Sequence, residues 1–127
     1  MPQSAQASFV EVKDSPFHGR GLFAARAIAP GATIAVYPLL VLSTEDTAAV
    51  RATLLHHYVF YVDENAEGEM RAAVAFGEIS MCNHSPKANA GFTVDASAQT
   101  VTLTASRAIA PGDEILIDYE DFADEII

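Results

Sequence analysis

Asn83, His84 and Ser85 stand in a row among short apolar runs, inside the stretch 75–89. Between them they offer an amide that donates and accepts, two ring nitrogens and a hydroxyl. The segment has no clean period of two, so it does not simply continue the short strands around it. Polar groups in such a setting cost several kcal/mol unless they find partners. They therefore either bind something or cap a turn, with Asn83 as the cap. Two other sets invite the same question. His18, Gly19, Arg20 and Gly21 form a glycine-flanked motif near the start, and Asp118 and Tyr119 close the last apolar run. Tyr119 could act through its hydroxyl or simply pack as a strand-end aromatic. His18 and His84 have no acidic or thiolate partner at ligand spacing, so no metal site is expected. His56 and His57 read as helix-end residues, and Cys82, the single cysteine, as a small buried hydrophobe.

The surrounding pattern supplies the elements that must position these groups. Apolar, β-branched and aromatic runs predict strands at 8–12, 22–25, 33–37, 58–62, 70–75 and 114–119. Residues 91–94 and 100–104 predict a hairpin. Residues 15–21 read as a loop by composition, and 63–69 as a solvated turn. Pro38 is expected to close the strand at 33–37, with 39–42 a further short extended piece. One helix is expected over 45–55: Ser43 and Thr44 suit its cap, Glu45 and Asp46 its first turn, and Val50, Leu54 and Leu55 fall at helical spacing. The sequence Arg26-Ala27-Ile28-Ala29-Pro30-Gly31 recurs as Arg107-Ala108-Ile109-Ala110-Pro111-Gly112, which suggests two similar strand–turn–strand units related by pseudo-symmetry. Many short strands, Pro-Gly turns and one short helix predict a mainly β domain.

At 127 residues, half of them hydrophobic, the chain is the size of one ordinary domain with a single core. One cysteine excludes an internal disulfide and a zinc site built on several thiolates. No apolar run approaches the ~20 residues of a membrane span. The opening residues lack the pattern of a secretion signal, which makes cytoplasmic residence the expectation. The net charge is −10, with seven Lys and Arg dispersed along the chain. That argues against direct nucleic-acid binding and favours basic partners, including lysine-rich protein segments.

Taken in order, His18-Gly19-Arg20-Gly21-Leu22-Phe23-Ala24, then Asn83-His84-Ser85 with Asn89, then Gly112-Asp113-Glu114-Ile115-Leu116-Ile117-Asp118-Tyr119, the sequence resembles the SET-domain family of protein lysine methyltransferases. The motif-bearing region is 18–119 of a single domain over 1–127, followed by a short acidic tail at 120–127. The resemblance implies a fold of several small curved sheets with a C-terminal pseudoknot. It implies S-adenosylmethionine as cofactor, with the backbone of Gly19, Arg20 and Gly21 and the side chain of Asn83 at its amino-acid end. The His84 backbone would hold the adenine and Phe122 would cover it. Tyr119 would be the catalytic tyrosine. Tyr58 matches an aromatic of the lysine channel, which Phe92 and Ile117 would also line.

Several positions depart from the family pattern. Pro86 replaces the usual cysteine, Ala88 the usual proline and Ile117 an aromatic, and the zinc-binding cysteines that flank many family members are missing. The acidic tail or a second subunit would then have to close the channel, so a homodimer is expected. Phe92 carries no hydroxyl, which would admit more than one methyl on the amine. Two rival readings differ in kind: a non-catalytic SET-like module that binds a peptide or partner, and a clip-like β domain that binds small sugars.

Overall fold

The computed structural model describes residues 9–16 and 19–118. β1 (Val10–Ser15) and β2 (Gly19–Ala24) pair as an antiparallel hairpin, with Ser15 opposite Gly19 and Val10 opposite Ala24. Residues 15–21 are therefore not a loop throughout. Glycine-rich composition suggests a turn, but Gly19, Arg20 and Gly21 are claimed by the ladder to β1.

β3 (Thr33–Val41), α1 (Thr44–Arg51), β4 (Val59–Glu64) and β5 (Met70–Ala75) follow. β6 (Asn83–His84), β7 (Ala90–Asp95), β8 (Thr100–Ala105) and β9 (Glu114–Ile117) complete the order. One sheet runs β1-β2-β9-β6 and the other β4-β5-β3-β8-β7. Every pairing is antiparallel except β6 with β9. The fold is mainly β, and α1 is the one α-helix among the described residues. Leu22, Val101, Leu103, Ile109, Ile115 and Ile117 are fully buried in one hydrophobic core.

The repeated hexapeptide organises this core. Ile28 and Ile109 bond each other reciprocally, N–H to C=O, at 2.9 Å in both directions. Gly31 N–H donates to Ala105 O and Gly112 N–H to Ala24 O, each at 2.8 Å. Ala24 N–H donates to Asp113 O at 2.8 Å and Ala105 N–H to Ala32 O at 2.9 Å. Each bond has its counterpart with donor and acceptor segments exchanged, so the two units are related by a local two-fold, as the repeat suggests. β2 and β8 are the equivalent first strands, and each pairs with the strand that follows the other's turn, β9 and β3. Gly31 and Gly112, with φ of 81° and 88°, hold the left-handed position that both turns require.

Pro38 does not close β3. The strand continues through it because Pro38 sits where β3 passes from one partner to the other: it pairs with β8 as far as Pro38 and with β5 from Leu39. Leu39 N–H bonds Gln99 O on the β8 side. The proline nitrogen turns to the other side, past the last residue of β5, where no ladder bond is required of it.

The helix is also shorter than its periodicity suggests. Ser43 Oγ accepts from Asp46 N–H at 3.0 Å, so the cap is as expected, but α1 stops at Arg51. Thr53 ends it: its hydroxyl donates to Val50 O at 2.7 Å and accepts from Leu55 N–H at 3.1 Å, local bonds that compete with helix continuation. Leu54 and Leu55 fall in a separate 3-10 turn, Leu54–Tyr58, and are exposed. Thr47 docks α1 instead. It is buried, and its hydroxyl accepts from Ala72 N–H at 2.9 Å. Thr47→Val would strand that backbone donor, and we expect a loss of about 1–3 kcal/mol in urea denaturation. No helix among the described residues is long and apolar enough to cross a membrane.

Candidate active site

β9 lies between β2 and β6, and this placement gathers residues that are far apart in sequence. Leu22 pairs with Ile115, Asn83 with Leu116 and His84 with Ile117. Ser85 N–H extends the parallel ladder to Ile117 O at 3.0 Å. Asn89, although not part of a strand, acts as a further partner for β9: its Nδ2 donates to Glu114 O and its Oδ1 accepts from Leu116 N–H, both at 2.9 Å. Arg107 Nη1 donates to Ala88 O at 2.8 Å and so secures the segment that leads into Asn89.

The Asn83 amide is held in one orientation. Its Nδ2 donates to Arg20 O and to Glu114 Oε2, each at 2.9 Å. Both partners are acceptors, so the nitrogen must face them and Oδ1 must face away. Glu114 Oε1 accepts from Ser15 Oγ at 3.0 Å. Gly21 is buried beneath this arrangement. A Cβ there would lie 2.2 Å from Glu114 Oε2 and 3.0 Å from Asn83 Nδ2. The glycine is therefore required by these two side chains. Glu114 is the site residue that reading the sequence missed. An acidic residue opening a strand after Gly-Asp looks solvated, and nothing local reveals that Ser15 and Asn83 converge on it.

His84 Nδ1 lies 3.7 Å from Asp118 Oδ1, linking β6 to the residue just beyond β9. In a parallel ladder alternate residues turn their backbone groups toward the partner. With Ser85 N–H directed at β9, the N–H and C=O of His84 are directed away from it.

The structure thus brings Gly19, Arg20 and Gly21 together with Asn83 and His84 along β2, β9 and β6. Ile117 is 1% exposed and belongs to the core. Phe92 lies on β7 in the other sheet, partly buried, and meets Phe60 edge to face with ring centroids 5.3 Å apart. Tyr58 ends the 3-10 turn before β4 and is about half exposed. His18, Tyr119 and Phe122 lie outside the described residues.

Two groups near the site resist ionisation. Cys82 is buried, its Sγ donates to Ile115 O at 3.2 Å, and its pKa is pushed up to about 12, by burial first and then by the Glu114 carboxylate. It is the enclosed, protonated thiol expected from the sequence. Tyr37 is also buried, with its hydroxyl outside hydrogen-bonding geometry of any described partner. Burial, and then Glu78, drive its phenol well above the usual range. A pKa raised on folding gives stability that is present below the unfolded value and lost as pH rises. We therefore expect the urea midpoint to fall above about pH 9 as unfolded thiol and phenol ionise. Cys82 should stay unreactive toward thiol reagents at pH 8 until the protein is unfolded.

The family model for the SET domain matches residues 19–120. The chain belongs to the SET domain family. It is 29% identical over 120 residues to the Schizosaccharomyces pombe histone-lysine N-methyltransferase specific for H3 lysine-37, covering 91% of this chain and 78% of that enzyme. Its fold is similar to that of the Neurospora SET domain protein DIM-5, a histone lysine methyltransferase, with a TM-score of 0.70 and 19% identity over 87% of this chain and 51% of that one. It is also similar to a humanized mutant of the Chaetomium thermophilum Polycomb Repressive Complex 2 bound to the inhibitor GSK126. There the TM-score is 0.69 and the identity 21%, over 94% of this chain and 16% of that one. SET-domain membership and the fission-yeast relative together support lysine methyl transfer at the level of the family.

The family generally uses S-adenosylmethionine, and the residues of this SET domain fit its amino-acid end. The Asn83 amide has committed both hydrogens to Arg20 and Glu114, which leaves Oδ1 to accept from an ammonium group.

Proposed function

We propose that this protein is an S-adenosylmethionine-dependent methyltransferase acting on lysine side chains of a protein substrate. The observation that carries the reading is the fixed Asn83 amide, held between the Gly19–Gly21 strand and β9 with its oxygen directed outward. Asn83 Oδ1 and the strand carbonyls would bind the α-ammonium group of the cofactor. The backbone of His84 would recognise the adenine through its N–H and C=O. The sulfonium of the bound cofactor supplies the methyl group.

The amine that receives it must be neutral. Neutralising a lysine with a pKa of about 10.4 at pH 7 costs about 4.6 kcal/mol. An apolar aromatic channel disfavours the ammonium and reduces that cost. Tyr58 and Phe92 are the aromatics proposed for it. Tyr119 follows Asp118 directly and would orient the amine through its hydroxyl, a task that needs no strong base. The charge of −10 supports a basic, lysine-rich substrate.

The test is calorimetry with S-adenosylmethionine followed by labelled methyl transfer to a lysine-rich protein. Tyr119→Phe should retain the cofactor and lose turnover by about 10²-fold or more. Turnover equal to wild type would reassign the tyrosine. Absence of cofactor binding would leave only a non-catalytic binding module.

A further inference from the structure

Resting on that reading of the cofactor site, we infer that Glu114 is a positioning residue that selects which face of the Asn83 amide meets the cofactor. Glu114 opens β9 opposite Phe23. Its carboxylate spans two donors from distant segments, Ser15 Oγ on Oε1 and Asn83 Nδ2 on Oε2. Only a group with an acceptor at each end satisfies both in their present roles.

The consequence lies on the far side of the amide. An amide held only by Arg20 O would keep one hydrogen bond and could turn, presenting NH₂ to the cofactor's ammonium, donor against donor. With Glu114 in place a flipped amide would set Oδ1 against both a carbonyl and a carboxylate. The acceptor face is therefore locked outward before ligand arrives. Gly21 provides the space for this lock, since a Cβ would lie 2.2 Å from Glu114 Oε2.

The discriminating ligands are S-adenosylhomocysteine, which carries the ammonium-bearing end, and methylthioadenosine, which lacks it. Their affinities would be measured by calorimetry on the full chain. Glu114→Met keeps bulk without an acceptor and should weaken S-adenosylhomocysteine by about tenfold or more. Methylthioadenosine should change by less than about twofold, because nothing it contacts has turned. Glu114→Gln should restore most of the lost affinity: its Oε1 can accept from Asn83 while its amide donates to Ser15 Oγ. In an Asn83→Ala background Glu114→Met should add less than about twofold, since its effect passes through Asn83.

Should Glu114→Met fail to unfold cooperatively, Gly21→Ala displaces the carboxylate without deleting it and should give the same selective loss. Equal loss of both ligands, no loss, or full additivity with Asn83→Ala overturns the positioning role while leaving the proposed function standing. Wild-type protein that binds neither ligand overturns both.

Discussion

Gly21→Ala is expected to remove about 2–3 kcal/mol of stability and to weaken the proposed cofactor binding. The new Cβ would sit 2.2 Å from Glu114 Oε2, so the carboxylate must move. Movement is sterically easy for the end of a flexible side chain, but this end is bonded to Ser15 and Asn83. Relief of the clash therefore breaks two bonds to a charged acceptor and frees the Asn83 amide. Gly91→Ala is the control: nothing lies within 4 Å of its added Cβ, and its φ is not positive. Urea denaturation and calorimetry on both variants check the expectation. A Gly21→Ala protein as stable as Gly91→Ala would mean that the pocket beneath Glu114 is slack.

The second large effect concerns the local two-fold. Ile28→Ala and Ile109→Ala should each cost about 2–5 kcal/mol, because both side chains are buried and truncation leaves a cavity. Their environments are related by exchange of donor and acceptor segments, so the two costs should agree within about 1.5 kcal/mol, the spread expected from unequal relaxation. The double variant should lose less than the sum, since the two residues are directly paired. Against a typical total of about 5–15 kcal/mol, little stability would remain. Chemical denaturation of the three variants measures this. A large inequality between the single variants would show that the symmetry is one of backbone only.

What could be read beforehand followed local chemistry. Pro-Gly at both turns, alternation in 100–104 and the acidic start of α1 each specify their element from neighbours in sequence. The two-fold was legible because six residues repeat. The boundaries that moved were set by partners elsewhere. Gly19 to Gly21 join a strand because β1 lies alongside to pair with them. Pro38 is tolerated because one neighbouring strand has ended. Leu54 and Leu55 left the helix through the hydroxyl of Thr53, a competitor that hydrophobic spacing ignores. At the site, the glycine and asparagine motifs pointed to each other through family resemblance. Glu114 did not, since its role depends on convergence of three segments that only the folded chain brings together.

The strand between β2 and β6 is synthesised after both of them. A nascent chain that has released residues up to 113 from the ribosome holds two edges facing a gap, one of them only two residues long and unable to pair alone. The candidate site therefore lacks its central strand until residues 114–117 have emerged. Until then the unpaired edge of β2 is a surface to which other unfolded chains can add, so slow elongation just before Glu114 would favour aggregation.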